Sequence, residues 1–205
     1  MDHMLNADLI VRMHDEATFG WHGSNGSPEP ANHAEEESAL LAALVLSQHW
    51  ANFELWHEED RARDPAATDD KIALVKHAID RLNQRRNDLV EAIDRMLLTE
   101  AGHQNQHAPL NSESPGLIID RLSILALKLY HTEEESNRVS ASEEHRIRNL
   151  DRLALLAEQR SDLAACLDTL WTQVLAGERR FKLYRQMKMY NDPDLNPVLY
   201  AQTKG

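Results

Sequence analysis

Long stretches of this 205-residue chain contain neither glycine nor proline, and that constrains the fold more than any other feature. The seven glycines and seven prolines gather mainly in three short stretches. Between them lie segments rich in Ala, Leu, Glu, Arg and Gln, the residues that lose least on entering a helix. No run of alternating β-branched residues competes with them. The sequence therefore predicts an all-α fold: a single-domain bundle of about five main, long antiparallel helices plus a short C-terminal helix. Nothing divides residues 1–205 into separate units.

Local signals place the elements. A first helix is expected from about Ala7 to Thr18, and residues 20–32, punctuated by Gly and Pro, read as a loop. Asn32 with Glu35 forms a capping box for a second helix that ends near Arg63. Asp64-Pro65 breaks it, and Thr68 caps a third helix reaching about Ala101, where Gly102 is the natural terminator. Residues 102–114 form a second loop, and Ser114-Pro115 is an N-cap with proline at the first helical position. The fourth helix runs to about Arg138; Ser140 with Glu143 opens a fifth that stops at Gly177. A shorter helix from about Arg179 to Tyr190 precedes a turn-rich tail at 191–205.

Composition narrows the function classes. A hydrophobic share of 42% excludes a disordered chain. A formal charge of −12 argues against general nucleic-acid binding, because a phosphate backbone would repel it. The lone Cys166 permits no internal disulfide, fits a reducing compartment and reads as an inert buried thiol. The first twenty residues carry Asp2, Asp8, Arg12, Asp15 and Glu16, unlike a secretory leader. No apolar run approaches the roughly 20 residues of a membrane span. A cytoplasmic location is expected.

The apolar stripes carry ionisable groups at core positions. The third helix gives Ile72, Val75, Ile79, Leu82, Arg86, Leu89, Ile93 and Met96; the fifth gives Leu153, Leu156, Arg160, Leu163, Leu167, Leu170 and Val174. On the second helix Leu40, Leu44, Ser47, Ala51, Glu54 and Glu58 turn from apolar to acidic. On the fourth, Leu117, Asp120, Ile124, Leu127, His131 and Glu134 do the same. Charges are rarely buried unless paired or bound to a metal. One reading is structural: Arg86 and Arg160 pair with Glu54, Glu58 or Asp120 and fix helix register. The other is a site.

For a site, Glu54-x-x-His57-Glu58 and His131-x-x-Glu134 have metal-ligand spacing on helices. Carboxylate-bridged di-iron bundles use Glu-x-x-His on two helices; here one copy has that order and one is reversed. A hard cation prefers oxygens, which Glu54, Glu58, Asp88, Glu91 and Asp94 supply. In this the chain resembles all-α nucleotide pyrophosphohydrolases, with Glu91-x-x-Asp94 in place and Glu54-x-x-His57 departing from that family's Glu-x-x-Glu. The basic segment Arg179, Arg180, Lys182, Arg185 and Lys188, interleaved with Phe181, Tyr184 and Tyr190, suits a phosphate or an acidic partner. It equally suits a basic helix docked on an acidic protein. Trp50 and Trp56 read as core or interface anchors, and His49, His77 and His145 show no clustering.

Four blocks resemble a bacterial family known as domain of unknown function 4254. They are Asn52-Phe-Glu-Leu-Trp-His-Glu-Glu-Asp-Arg-Ala-Arg63, Ile79-Asp-Arg-Leu-Asn-Gln-Arg-Arg-Asn-Asp88, Asp120-Arg-Leu-Ser-Ile-Leu-Ala-Leu-Lys-Leu-Tyr-His131 and Tyr184-Arg-Gln-Met-Lys-Met-Tyr-Asn-Asp-Pro193. With the linking helices, the resemblance spans nearly the whole chain. It implies a bacterial protein and an association with surface-glycan or glycosyltransferase genes, but no established reaction. The blocks contain the polar positions found from periodicity.

The resulting expectation is a divalent-metal-dependent enzyme or sensor that binds a phosphorylated or nucleotide-sugar ligand inside the bundle. Glu54, Glu58 and Asp88 hold the metal (Mg²⁺ or Mn²⁺ ahead of iron), and His57 or His131 acts as general base. Asn83, Arg86, Asn87, Asp120, Arg121 and Arg185 contact the ligand. The alternatives are a non-catalytic homodimeric interaction or scaffold protein with a structural charge network, and a di-iron carboxylate protein.

Overall fold

The computed structural model describes residues 5–23, 36–185 and 194–197. Among them are five helices and no strand: α1 (Ala7–Gly23), α2 (Glu36–Ala62), α3 (Asp69–Ala101), α4 (Pro115–Asn137) and α5 (Glu143–Leu175). The all-α expectation holds. The largest packing interfaces join α2 to α3 and α4 to α5, so the fold is two antiparallel helical hairpins, with α1 packed against α2, α4 and α5. No helix among the described residues is long and apolar enough to cross a membrane.

Capping chemistry explains most boundaries. The Thr68 hydroxyl accepts from the Lys71 amide at the start of α3, and Gly102 closes that helix at φ +62°. The Ser114 hydroxyl accepts from the Leu117 amide, with Pro115 opening α4. The N-cap of α5 is Ser142, which accepts from the His145 amide; Ser140 does not cap it, because the chain is still turning there. The capping box of Asn32 and Glu35 lies outside the described residues.

Two local expectations fail for reasons of packing. Helix α1 does not stop at Thr18 but runs through Gly20 to Gly23. Trp21 is buried against Trp50 and Phe53, and this tertiary contact outweighs the cost of two glycines in a helix. The short C-terminal helix does not form over 179–185, where the backbone is extended. Instead the Arg180 amide donates to the Pro109 carbonyl (3.1 Å), the Asn111 amide donates to the Arg180 carbonyl (2.7 Å), and Phe181 plugs the core. Gln104 completes this dock by accepting from the Phe181 amide (2.9 Å).

The main core gathers Ile93 and Leu97 of α3, Ile119 and Leu122 of α4, Leu167, Leu170 and Trp171 of α5, Leu41 and Val45 of α2, and Ile10 of α1. On α2 the buried face is therefore Leu41, Val45, Gln48, Asn52 and Leu55, one position away from the expected stripe; Leu40 is exposed. On α3 the far end of the expected stripe, Ile72, is exposed too.

The turn from α3 into α4 rests on one buried carboxylate. Asp94 accepts from the Ser114 hydroxyl and from the Gly116 amide (2.7 Å), joining α3 to an amide at the start of α4 that has no partner within its own helix. Gly116 is required by space: a Cβ there would meet Asp94 Oδ1 and the Val90 carbonyl at 2.8 Å. Asp94→Ala orphans these buried donors and should destabilise the protein by about 1–3 kcal/mol. Gly116→Ala should cost about 1–3 kcal/mol by overpacking. Denaturant unfolding checks both; a Gly116→Ala protein as stable as the parent would contradict the close approach.

Candidate functional site

The polar positions divide into a buried chain, an imidazole cluster and a set of separate surface pairs. Asp120 anchors the first. Its Oδ1 accepts from the side-chain amide of Gln48, from Asn52 Nδ2 (3.0 Å) and lies 3.8 Å from Arg86 Nε. Asn52 Nδ2 also donates to Ser123 Oγ (2.9 Å), which lies 2.7 Å from His49 Nδ1. His49 Nε2 lies 3.0 Å from the His14 carbonyl and 2.8 Å from Thr18 Oγ1. A carbonyl can only accept, so Nε2 carries the ring proton and Ser123 donates to Nδ1. Hydrogen bonds with every direction fixed thus join α4 and α2 to α1, and α3 is tied to them by the Arg86–Asp120 ion pair.

These are the groups the structural reading required, with two changes. Arg86 pairs with Asp120 as expected, whereas Arg160 reaches Asp15 of α1 in a two-pronged pair (2.7 and 2.8 Å). His49, with no clustering in the sequence, sits at the centre of the network. Its partners come from 31 to 74 residues away, a separation that no local pattern reveals.

The expected metal set is not brought together. Glu54 faces Arg85 at 3.6 Å, Glu58 pairs with Arg61 one turn on (2.6 Å), and Asp88 accepts from Gln84 (2.8 Å). Asp94 is spent on the α4 cap. Among the described residues no group of three or more His, Cys, Asp or Glu side chains is arranged to hold a metal ion. Asn83 and Asn87 flank Arg86 on one half-buried face of α3. Arg121 pairs with both oxygens of Glu113 (3.0 Å each), and Arg185 is exposed.

The two histidines expected to be catalytic do meet. Ring centres of His57 and His131 lie 6.1 Å apart, and His22 of α1, hidden in a stretch read as loop, joins them at 5.5 and 4.9 Å. Trp56 stacks on His131 (4.7 Å) and Tyr130 on His22 (4.1 Å). Burial, then the neighbouring imidazoles, push the His57 pKa down. A separate groove of about 1020 Å³ runs along α4 and α5. Cys166, expected to be buried, is exposed and lines it, because its position on α5 faces away from the core.

The model of a family described as protein of unknown function (DUF4254) matches residues 42–183, more than half of the chain. The chain belongs to the DUF4254 family. Its matched span covers most of α2 and all of α3 to α5, the buried chain from Asp120 to His49, and two of the three clustered imidazoles. Helix α1 of this DUF4254 protein, with His14 and His22, and the block Tyr184–Pro193 lie outside the match. Comparison with curated proteins and with solved structures gave no match.

The buried imidazoles set the acid response. Burial pushes the His14 pKa well below the ordinary 6.5 and takes that of His49 down to about 3. In the unfolded chain both take up protons near pH 6.5, so their contribution to stability is full above that pH and is lost as the pH falls. Asp94, raised to about 6 by burial, and Asp120, also raised by burial, act in the opposite sense once the pH drops through their range. Loss of stability should therefore set in as the pH falls through 6.5 and be moderated once it passes about 6. His14 is fully buried and neither ring nitrogen has a hydrogen-bond partner among the described residues. His14→Leu should thus leave stability at pH 7.5 equal or higher, and flatten its fall on acidification. Denaturant midpoints across pH 7.5 to 6 check this; a variant as pH-sensitive as the parent would contradict it.

Proposed function

We propose that this protein is a sensor or enzyme that binds a phosphorylated small molecule in the groove between α4 and α5. One observation carries the reading: in a chain of net charge −12, cations from two separate segments, Arg121 and Lys128 of α4 and Arg179 beyond α5, rim one groove with an apolar floor. Ile118, Leu125, Leu163 and Leu170 form that floor. Its volume suits a ligand the size of a nucleotide sugar, with the apolar part below and the phosphates at the rim. Glu113 and Asp162 share the lining and select for a ligand that also offers hydroxyl donors. One guanidinium nitrogen of Arg121, Nη1, already straddles both oxygens of Glu113, an anion that a phosphate can replace in exchange.

This keeps the ligand class expected from the sequence but moves the site out of the bundle interior, where Asp120 is fully engaged. A required divalent metal would then arrive with the phosphates, as Mg²⁺ commonly does, rather than in a protein cage. A homodimeric scaffold is the second reading, favoured by Val139, Ile147, Leu150 and Leu155, which stand exposed along the α4–α5 turn and the start of α5. The di-iron reading draws no support from the scattered carboxylates.

Calorimetric titration with inorganic phosphate, nucleotides and nucleotide sugars, each with and without Mg²⁺, tests the proposal. Lys128→Ala and Arg179→Ala should each weaken binding by about tenfold, the loss of one charge-assisted contact of roughly 1.5 kcal/mol. Binding unchanged in both variants, or no heat from any phosphorylated compound, would overturn it. Light scattering at increasing concentration of the same protein reads the second possibility directly.

A further inference from the structure

We propose that His22 and His131 form a binding site for a late first-row transition ion, of the Zn²⁺ or Ni²⁺ type, through their Nε2 atoms. The site is independent of the groove and rests on how the two rings are held. His22 Nδ1 lies 2.8 Å from the Thr18 carbonyl oxygen. That oxygen can only accept, so Nδ1 bears the proton and the neutral ring presents its lone pair at Nε2. His131 Nδ1 lies 2.9 Å from the Glu134 carboxylate, which fixes the same tautomer. Both Nε2 atoms are buried and have no hydrogen-bond partner among the described residues.

Histidines that bind metals are held in this way, one ring nitrogen donating to a carbonyl or carboxylate and the other free. The spacing agrees. The ring centres are 4.9 Å apart with planes at 80°. Two imidazoles on one tetrahedral ion, with metal–nitrogen bonds of about 2.0–2.1 Å, have their ring centres about 5 Å apart. Stacking by Trp56 on His131 and by Tyr130 on His22 restrains both rings and limits water. His57, 5.5 Å from His22 and 6.1 Å from His131, becomes the third nitrogen only when its ring turns toward them. Imidazole donors without a carboxylate select zinc, nickel or copper over Mg²⁺ or Mn²⁺. His22 lies outside the span matched by the family model, so the complete pair depends on α1.

The test uses the full chain, freed of metal with a chelator, and titrated with Zn²⁺, Ni²⁺ and Co²⁺ in the absence of any phosphorylated compound. One equivalent should bind, and Co²⁺ should develop the visible absorption of nitrogen ligation. His22→Ala and His131→Ala should each weaken binding by at least tenfold, and His57→Ala by less. The exposed His77→Ala should leave it unchanged. Glu134→Gln, an exposed change that keeps the fold, should weaken binding severalfold by loosening the His131 ring. Binding unaffected by the His22 and His131 variants, or by Glu134→Gln if those variants fail to fold, would overturn the proposal. So would the absence of any metal uptake, which would leave the two lone pairs to a bridging water. Because no phosphate is present, failure here leaves the groove reading standing.

Discussion

Asp120 is the constraint on which the arrangement of the helices depends. Burial raises the pKa of this carboxylate, and it stays in place because α2 supplies two donors, Gln48 and Asn52, and α3 supplies the Arg86 charge 3.8 Å away. Such a group adds little net stability, since desolvation offsets most of the attraction. Its effect is on register. Sliding α4 by a residue would strand the charge, and breaking a buried pair costs about 3–5 kcal/mol. The hairpin of α2 and α3 is thereby keyed to α4 at one position. Ser123, His49 and the His14 carbonyl extend the key to α1. The same role falls to Asp94 at the other end of the α3–α4 interface.

This arrangement accounts for where function can reside. Polar groups at the centre are largely committed to one another, the exceptions among the described residues being the His14 ring, Gln48 Oε1 and Arg86 Nε. Nearer the edges, capacity for a ligand appears at the paired Nε2 atoms of His22 and His131 and along the cationic rim of the α4–α5 groove. Lys128 and His131 are neighbours one turn apart on α4, so the two regions share a helix without sharing a residue.

The parts of this picture that were legible in the sequence are those written locally. Thr68, Gly102, Ser114 and Pro115 act through bonds within a few residues, and their roles follow from residue type and spacing. The all-α class follows from composition in the same way. The face of α2 was misplaced because its first half, Leu40 to Leu46, is apolar all round, and a helix without a polar side has no period to read. The dock of Phe181 replaced an expected helix because its partners, Gln104 and Pro109, are about 70 residues away in the chain. Arg86 is legible as a half-buried cation, and Asp120 among the carboxylates for it, because both fall on a helical stripe. Arg160 pairs instead with Asp15 of α1, outside the four helices whose stripes carry charge. The sequence marks neither His49 nor His22 for related reasons: one looks like any helical histidine and shows no clustering, and the other stands between two glycines.

The contrast between a committed interior imidazole and uncommitted outer ones is the centre of this account, and ¹⁵N NMR of the histidine rings reads it most directly. The account predicts His49 as the neutral Nε2–H tautomer throughout the range from pH 8 to 5, and metal-free His22 and His131 as Nδ1–H tautomers at neutral pH and above. An ordinary titration of His49 near pH 6.5, or Nε2–H tautomers at His22 and His131, would contradict it.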